Sequence, residues 1–299
     1  MSDVREAVLT ESVAEADGTT EHLNRIVALT RDLPAMPHVA SKVLELSSDP
    51  NTSARQLQQV IADDQAMTAR ILKIANSAMY ACSRKIKTLT EAIVMLGFNS
   101  IRSLVVTSAA RNLYDTKSSQ TGLKERLLWE HSIGTAFACR LLVEPRLPAL
   151  TEEAFLAGLL HDIGKLVLKI RVPAEFDEIV QIVYNENRPF HQTERERLGF
   201  DHSHVGAMLV NKWKFSPALE GVIRNHHDPA ALSARDPLLL YLDLGNKLCH
   251  RLGIGFVAEP ELDIVGSPAN RILGLPSSAF EETAARLEGT LADEMEIFI

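Results

Sequence analysis

The chain has 299 residues, 46% of them hydrophobic and 23% charged, enough to bury one large core or two moderate ones, which excludes a largely disordered protein. A formal charge of −8 gives no general attraction to a polyanion, so composition argues against a nucleic-acid partner. Aromatic residues make up only 5%, a balance that suits helix packing better than an aromatic-rich sheet, and an all-α fold is expected. The three cysteines, Cys82, Cys139 and Cys249, are far apart and odd in number, which indicates neither a disulfide framework nor a thiolate zinc site and fits a reducing cytoplasm. The first residues are polar and acidic without a signal-type apolar core, and no stretch reads as a run of the ~18 apolar residues that span a bilayer. A cytoplasmic protein with no membrane partner is expected.

Residues 1–20 are polar and small and read as a tail. From His22 the residues Leu23, Ile26 and Val27 fall at helical spacing, and Leu33-Pro-Ala-Met-Pro37 ends that helix and starts another carrying Val39, Val43, Leu44 and Leu46. Ser53-Ala-Arg-Gln56 has the form of a capping box ahead of Leu57, Val60 and Ile61. Ala66 to Ala75 reads as a helix, as does Thr88 to Leu96, with Gly97 at its C-cap and a further helix from Ser100-Ile101. The polar stretch 115–125 marks a boundary, placing an N-terminal helical subdomain at 21–115 and a second at 124–255. Within the second, helices are expected near 124–143, 151–169, 174–186, 202–213, 217–228 and 236–252, with prolines between them or at their starts. An extension, 256–299, closes in a helix at about 277–291. No strand-like alternation is sustained.

Seven of the ten histidines lie between His131 and His227, and neutral imidazole is the commonest metal ligand. In Leu159-Leu160-His161-Asp162-Ile163-Gly164-Lys165 an apolar helix presents an imidazole beside a carboxylate, and on a helix two such neighbours diverge by about 100° yet can converge on an ion between them. The plainer reading pairs Asp162 with Lys165 and gives His161 a core hydrogen bond. His226-His227 end a helical segment, where they either direct two rings into one cavity or complement the helix C-terminus as cations. His191 and His204 are read as surface groups or supports of the ligands, being polar residues of a presumed loop.

The order His131, His161-Asp162, His202, His226-His227 resembles the HD superfamily of metal-dependent phosphohydrolases. Leu33-Pro-Ala-Met-Pro37, Ala62 to Leu72, Ala75-Asn-Ser77, Ala92 to Gly97 and Val205 to Leu209 with Trp213 are similar to its HDOD branch, a likeness spanning about 24–255. This implies an HD-like multi-helix fold with an additional N-terminal helical subdomain. It also implies a bacterial signal-transduction protein acting mainly through contact with signalling proteins.

Carried over by position, His131, His161, Asp162, His202, His226 and His227 match metal-ligand positions of the HD-GYP phosphodiesterases. Asn246 stands where the working enzymes have an aspartate, and the Gly-Tyr-Pro loop is replaced by Asp228-Pro-Ala-Ala-Leu232. The resemblance implies one or two divalent ions, iron or manganese. Lys165 is the candidate catalytic residue on its own chemistry, a cation suited to neutralise a bound phosphate. The neutral Asn246 weakens ion binding and argues against full activity, and Asp243 one turn earlier is a displaced substitute. The alternative is a phosphohydrolase of a nucleotide or cyclic dinucleotide. A purely structural or sensory metal is a third reading.

Overall fold

The computed structural model describes residues 33–77, 80, 84–114 and 123–298. The polar tail, the stripe from His22 to Val27, Cys82 and most of the 115–125 stretch lie outside these residues. Fourteen α-helices and no strand occur among the described residues, as the composition anticipates.

Four helices build the first half: α1 (His38–Ser47), α2 (Ala54–Ala62), α3 (Gln65–Ala75) and α4 (Leu89–Tyr114). The capping box forms as the sequence suggests: the Ser53 hydroxyl accepts from the Gln56 N–H and the Gln56 side chain accepts from the Ser53 N–H. Gly97, at φ 80° and ψ 168°, breaks α4 where a C-cap is expected, a backbone region that glycine enters without steric cost. By length and average composition α4 could cross a bilayer, a property the residue-by-residue reading did not register. Most of that apolar surface is buried inside the protein.

The second half is α5 (Leu123–Val143), α6 (Thr151–Leu160), α7 (Ile163–Arg171), α8 (Pro173–Glu186), α9 (Phe190–Leu198), α10 (His202–Lys212), α11 (Pro217–Asn225) and α12 (Pro237–Arg251). The chain closes with α13 (Pro268–Leu273) and α14 (Ser277–Phe298). Helix α5 is central, packed against α6, α12 and α14, and Trp129, Ile133, Phe137 and Cys139 along it are all buried. It lacks a polar face because neighbours cover it on several sides.

Two departures from the sequence reading matter for the site. The single helix expected at 151–169 is two helices, α6 and α7, separated at His161-Asp162. The stretch after Pro189, read as loop, is the helix α9, with Phe190, Thr193, Glu194 and Leu198 turned inward.

The buried apolar side chains of both halves form one connected core. Polar links cross between them: the Trp213 indole N–H donates to the Pro34 carbonyl at 3.0 Å, Lys212 donates to the Leu33 carbonyl at 2.7 Å, and Arg102 pairs with Glu153 at 2.6 Å.

Candidate metal centre

The seven expected ligands come from five places in the fold. His131 sits on α5, His161 and Asp162 at the α6–α7 break, His202 at the start of α10, His226 and His227 just after α11, and Asn246 on α12. The break explains how adjacent residues converge. His161 still donates its backbone N–H to the Ala157 carbonyl, while Asp162 leaves helical geometry at φ −98° and ψ 5°. Both side chains therefore face the interior, without the divergence of helical neighbours. Gly164 then allows α7 to touch the start of α10, since a Cβ there would lie 1.9 Å from the His202 carbonyl oxygen.

The rings are oriented through Nδ1. That nitrogen donates to the Ile254 carbonyl in His131 (2.9 Å), to the Gly158 carbonyl in His161 (2.7 Å) and to the Ile223 carbonyl in His226 (2.7 Å). A carbonyl can only accept, so Nδ1 carries the proton and Nε2 keeps its lone pair. The Nε2 atoms all face Asp162: His131 and His161 lie 3.7 and 3.5 Å from Oδ2, and His202 and His226 lie 3.0 and 3.8 Å from Oδ1. His227 Nε2 is 2.9 Å from His202 Nε2. Two groups of ligand atoms result, His131, His161 and Asp162, and Asp162, His202, His226 and His227, each within 4.8 Å of one another and sharing Asp162.

These residues fit a metal ion on two grounds. The Nε2 atoms of His161 and His226 and the Oδ1 of Asn246 are buried without a hydrogen-bond partner, an arrangement that native interiors rarely keep unless something else binds there. Separations of 2.9–3.8 Å also match neighbouring ligands on one ion, since metal–nitrogen bonds of about 2.1 Å put adjacent ligand atoms roughly 3.0–3.4 Å apart.

Burial sets most of the charge states. It holds His131 at about 4 and His226 at about 3, and it keeps His161 and His227 well below the ordinary imidazole value. These rings are neutral near pH 7, the ligand form. His202 is the exception: burial opposes its cation, but the carboxylates of Glu194, 2.5 Å from Nδ1, and Asp162 lift it to about 9. Burial likewise opposes the Asp162 carboxylate, but the neighbouring cations Lys165 and His202 hold it well below its usual range. The Lys165 ammonium donates to Asp162 Oδ2 at 2.6 Å, so the plainer ion pair is present at the same carboxylate as the convergent rings.

A cavity of about 400 Å³ opens over this floor, lined among others by Asp162, Lys165, His191, Asn246 and His250. Asp243 borders it, tied to Lys247 at 2.5 Å. His204 stands apart, bonded at 2.9 Å to Asp201, the N-cap of α10. His191 stacks on His227 with ring centroids 4.1 Å apart. Two contributors escaped the sequence reading. Glu194 is fully buried and bonds both the backbone N–H and Nδ1 of His202. His250 lies 5.2 Å, centroid to centroid, from His131. A polar helix read as loop concealed the first; the second follows Asn246 by four residues, one helical turn, which the spacing alone could have flagged.

Comparison with known proteins identifies the family and the fold. The HDOD domain family profile matches residues 33–229. An uncharacterized protein of Treponema pallidum is 24% identical over 233 residues, 76% of this chain, which spans only 44% of that relative's length. An HDOD domain protein of unknown function from Geobacter sulfurreducens superposes with a TM-score of 0.73 at 25% identity, covering 92% of this chain and 97% of its own. A protein from Shewanella amazonensis, named as a suspected phosphohydrolase, gives 0.74 at 25% identity with the same coverage.

Proposed function

The chain belongs to the HDOD family, and from that premise we propose that it is a signalling protein whose second half holds a divalent metal and uses it to bind a phosphorylated small molecule. The observation that carries this reading is the set of bare, buried Nε2 atoms converging on Asp162, each ring held in the ligand tautomer through Nδ1. His131, His161 and Asp162 would hold one ion, and Asp162, His202, His226 and His227 a second, with the buried, unpaired Asn246 Oδ1 lining the same cavity. Imidazoles outnumber carboxylates in this set, which favours iron over manganese and disfavours magnesium.

A bound ion would polarise a phosphoryl oxygen. The protein's own part is to orient and charge the site. Glu194 fixes the His202 ring, and Lys165, 4.7 Å above the Phe190 ring, is positioned at the cavity wall to neutralise a phosphate oxygen. Asn246 supplies a neutral oxygen in place of a carboxylate, which weakens the ion's hold and supports a binding role over rapid turnover. The output passes to other signalling proteins by contact, in keeping with family membership.

A second reading, a metal-dependent phosphohydrolase, is favoured by Lys165 beside Asp162. The two separate on incubating iron- or manganese-loaded protein with bis-p-nitrophenyl phosphate and cyclic di-GMP. The regulatory reading expects negligible release of product; turnover that disappears in His161→Ala would replace it with the enzymatic one.

A further inference from the structure

The cavity over the metal floor is far larger than a phosphate requires. Its volume of about 400 Å³ exceeds by more than tenfold the ~30 Å³ share of one water molecule and falls in the range of small-ligand sites. Its lining is chemically mixed. Asp162, Lys165 and the imidazoles share it with Phe190, Phe256, Val257 and Leu262, and Phe190 stands beside the metal floor with its ring 4.7 Å from the Lys165 ammonium. Phe256 and Val257 are only half-buried. A second hollow of about 160 Å³ beside Val180, Val183 and Tyr184 shares Phe190, Phe256 and Val257 with the first. Tyr184 is 80% exposed at its edge. Two further cations line the cavity, and both are matched, Lys247 by Asp243 at 2.5 Å and Arg188 by Glu196, so neither brings surplus positive charge for a second phosphate.

We propose that the ligand of this cavity is a phosphate monoester with an apolar, ring-sized body: the phosphate meets the metal floor and Lys165, and the body lies along Phe190, Phe256 and Val257 toward Tyr184. The inference rests on the metal-binding reading above and adds the class of molecule that the site takes. Polyphosphates fit poorly, since a chain of charges would have to extend along the apolar wall. Inorganic phosphate leaves that wall wet.

Titrating the metal-loaded full chain calorimetrically with inorganic phosphate, phenyl phosphate, 1-naphthyl phosphate and pyrophosphate tests this. Burying one face of an aromatic ring corresponds to about a tenfold gain in affinity. Phenyl phosphate is therefore expected to bind about tenfold more tightly than phosphate, naphthyl phosphate more tightly again, and pyrophosphate no better than phosphate. The ratio of phenyl phosphate to phosphate affinity should fall toward one in Phe256→Ala and in Val257→Ser, two half-buried positions whose loss does not empty the core. Equal affinities for all four probes, or an unchanged ratio in both variants, would overturn the assignment while leaving the metal reading standing. Failure of the protein to take up metal would overturn both, and the metal content measured on the same sample tells these failures apart.

Discussion

At the scale of single residues the site depends on how side chains are held as much as on which are present. Three rings donate Nδ1–H to backbone carbonyls, His161 and His226 one helical turn back and His131 to Ile254 after α12, which fixes the tautomer before any ion arrives. The Asp162 carboxylate is stabilised in the ion-free protein by the Lys165 ammonium and the His202 imidazolium, both of which a divalent cation would displace or deprotonate. Asn246 is the weak member: its Oδ1 is buried and unpaired, and it brings no charge. Replacing it by aspartate adds a carboxylate facing the ion, and Asn246→Asp is expected to bind manganese about tenfold more tightly, a gain of ~1.4 kcal/mol. Competition titration against a metal-sensitive dye measures this, and unchanged or weaker binding would place Asn246 outside the coordination sphere.

At the scale of helices, positioning depends on breaks and close approaches. The α6–α7 interruption at His161-Asp162 turns two adjacent side chains inward, and Gly164 brings α7 onto α10. Gly164→Ala must push the His202 backbone away, and we expect a loss of about 3 kcal/mol of stability together with weakened metal binding, read by thermal denaturation and metal titration. A stable variant with full metal affinity would show that the two helices separate without consequence for the site. The sequence disclosed the histidines, their order and the helix-rich architecture, because imidazole ligands and prolines at helix starts are local signals. It concealed the break, because largely apolar stretches flank His161-Asp162 on both sides and no proline separates them. It concealed α9 for the opposite reason: His191, Gln192, Glu194, Arg195, Glu196 and Arg197 look like solvated loop, and only burial shows Glu194 as the support of His202.

At the scale of the whole molecule the metal floor lies at the meeting point of α5, α7, α10 and α12, and the first half abuts it. Tyr114, at the end of α4, is buried with its hydroxyl 3.1 Å from Ser132 Oγ, next in sequence to His131. Helix α14 packs on both α3 and α5, so elements of the two halves share neighbours around the site. An ion at the floor would therefore brace helices drawn from much of the chain, and only the folded state assembles its ligands. The most direct test of the account is the metal content of the purified, untagged protein after incubation with iron or manganese and removal of excess, measured by elemental analysis beside His161→Ala. One to two ions per chain are expected in the parent protein, with a marked loss in a variant that remains folded by circular dichroism. A folded parent protein that retains no ion, or a variant that retains as much as the parent, would contradict it.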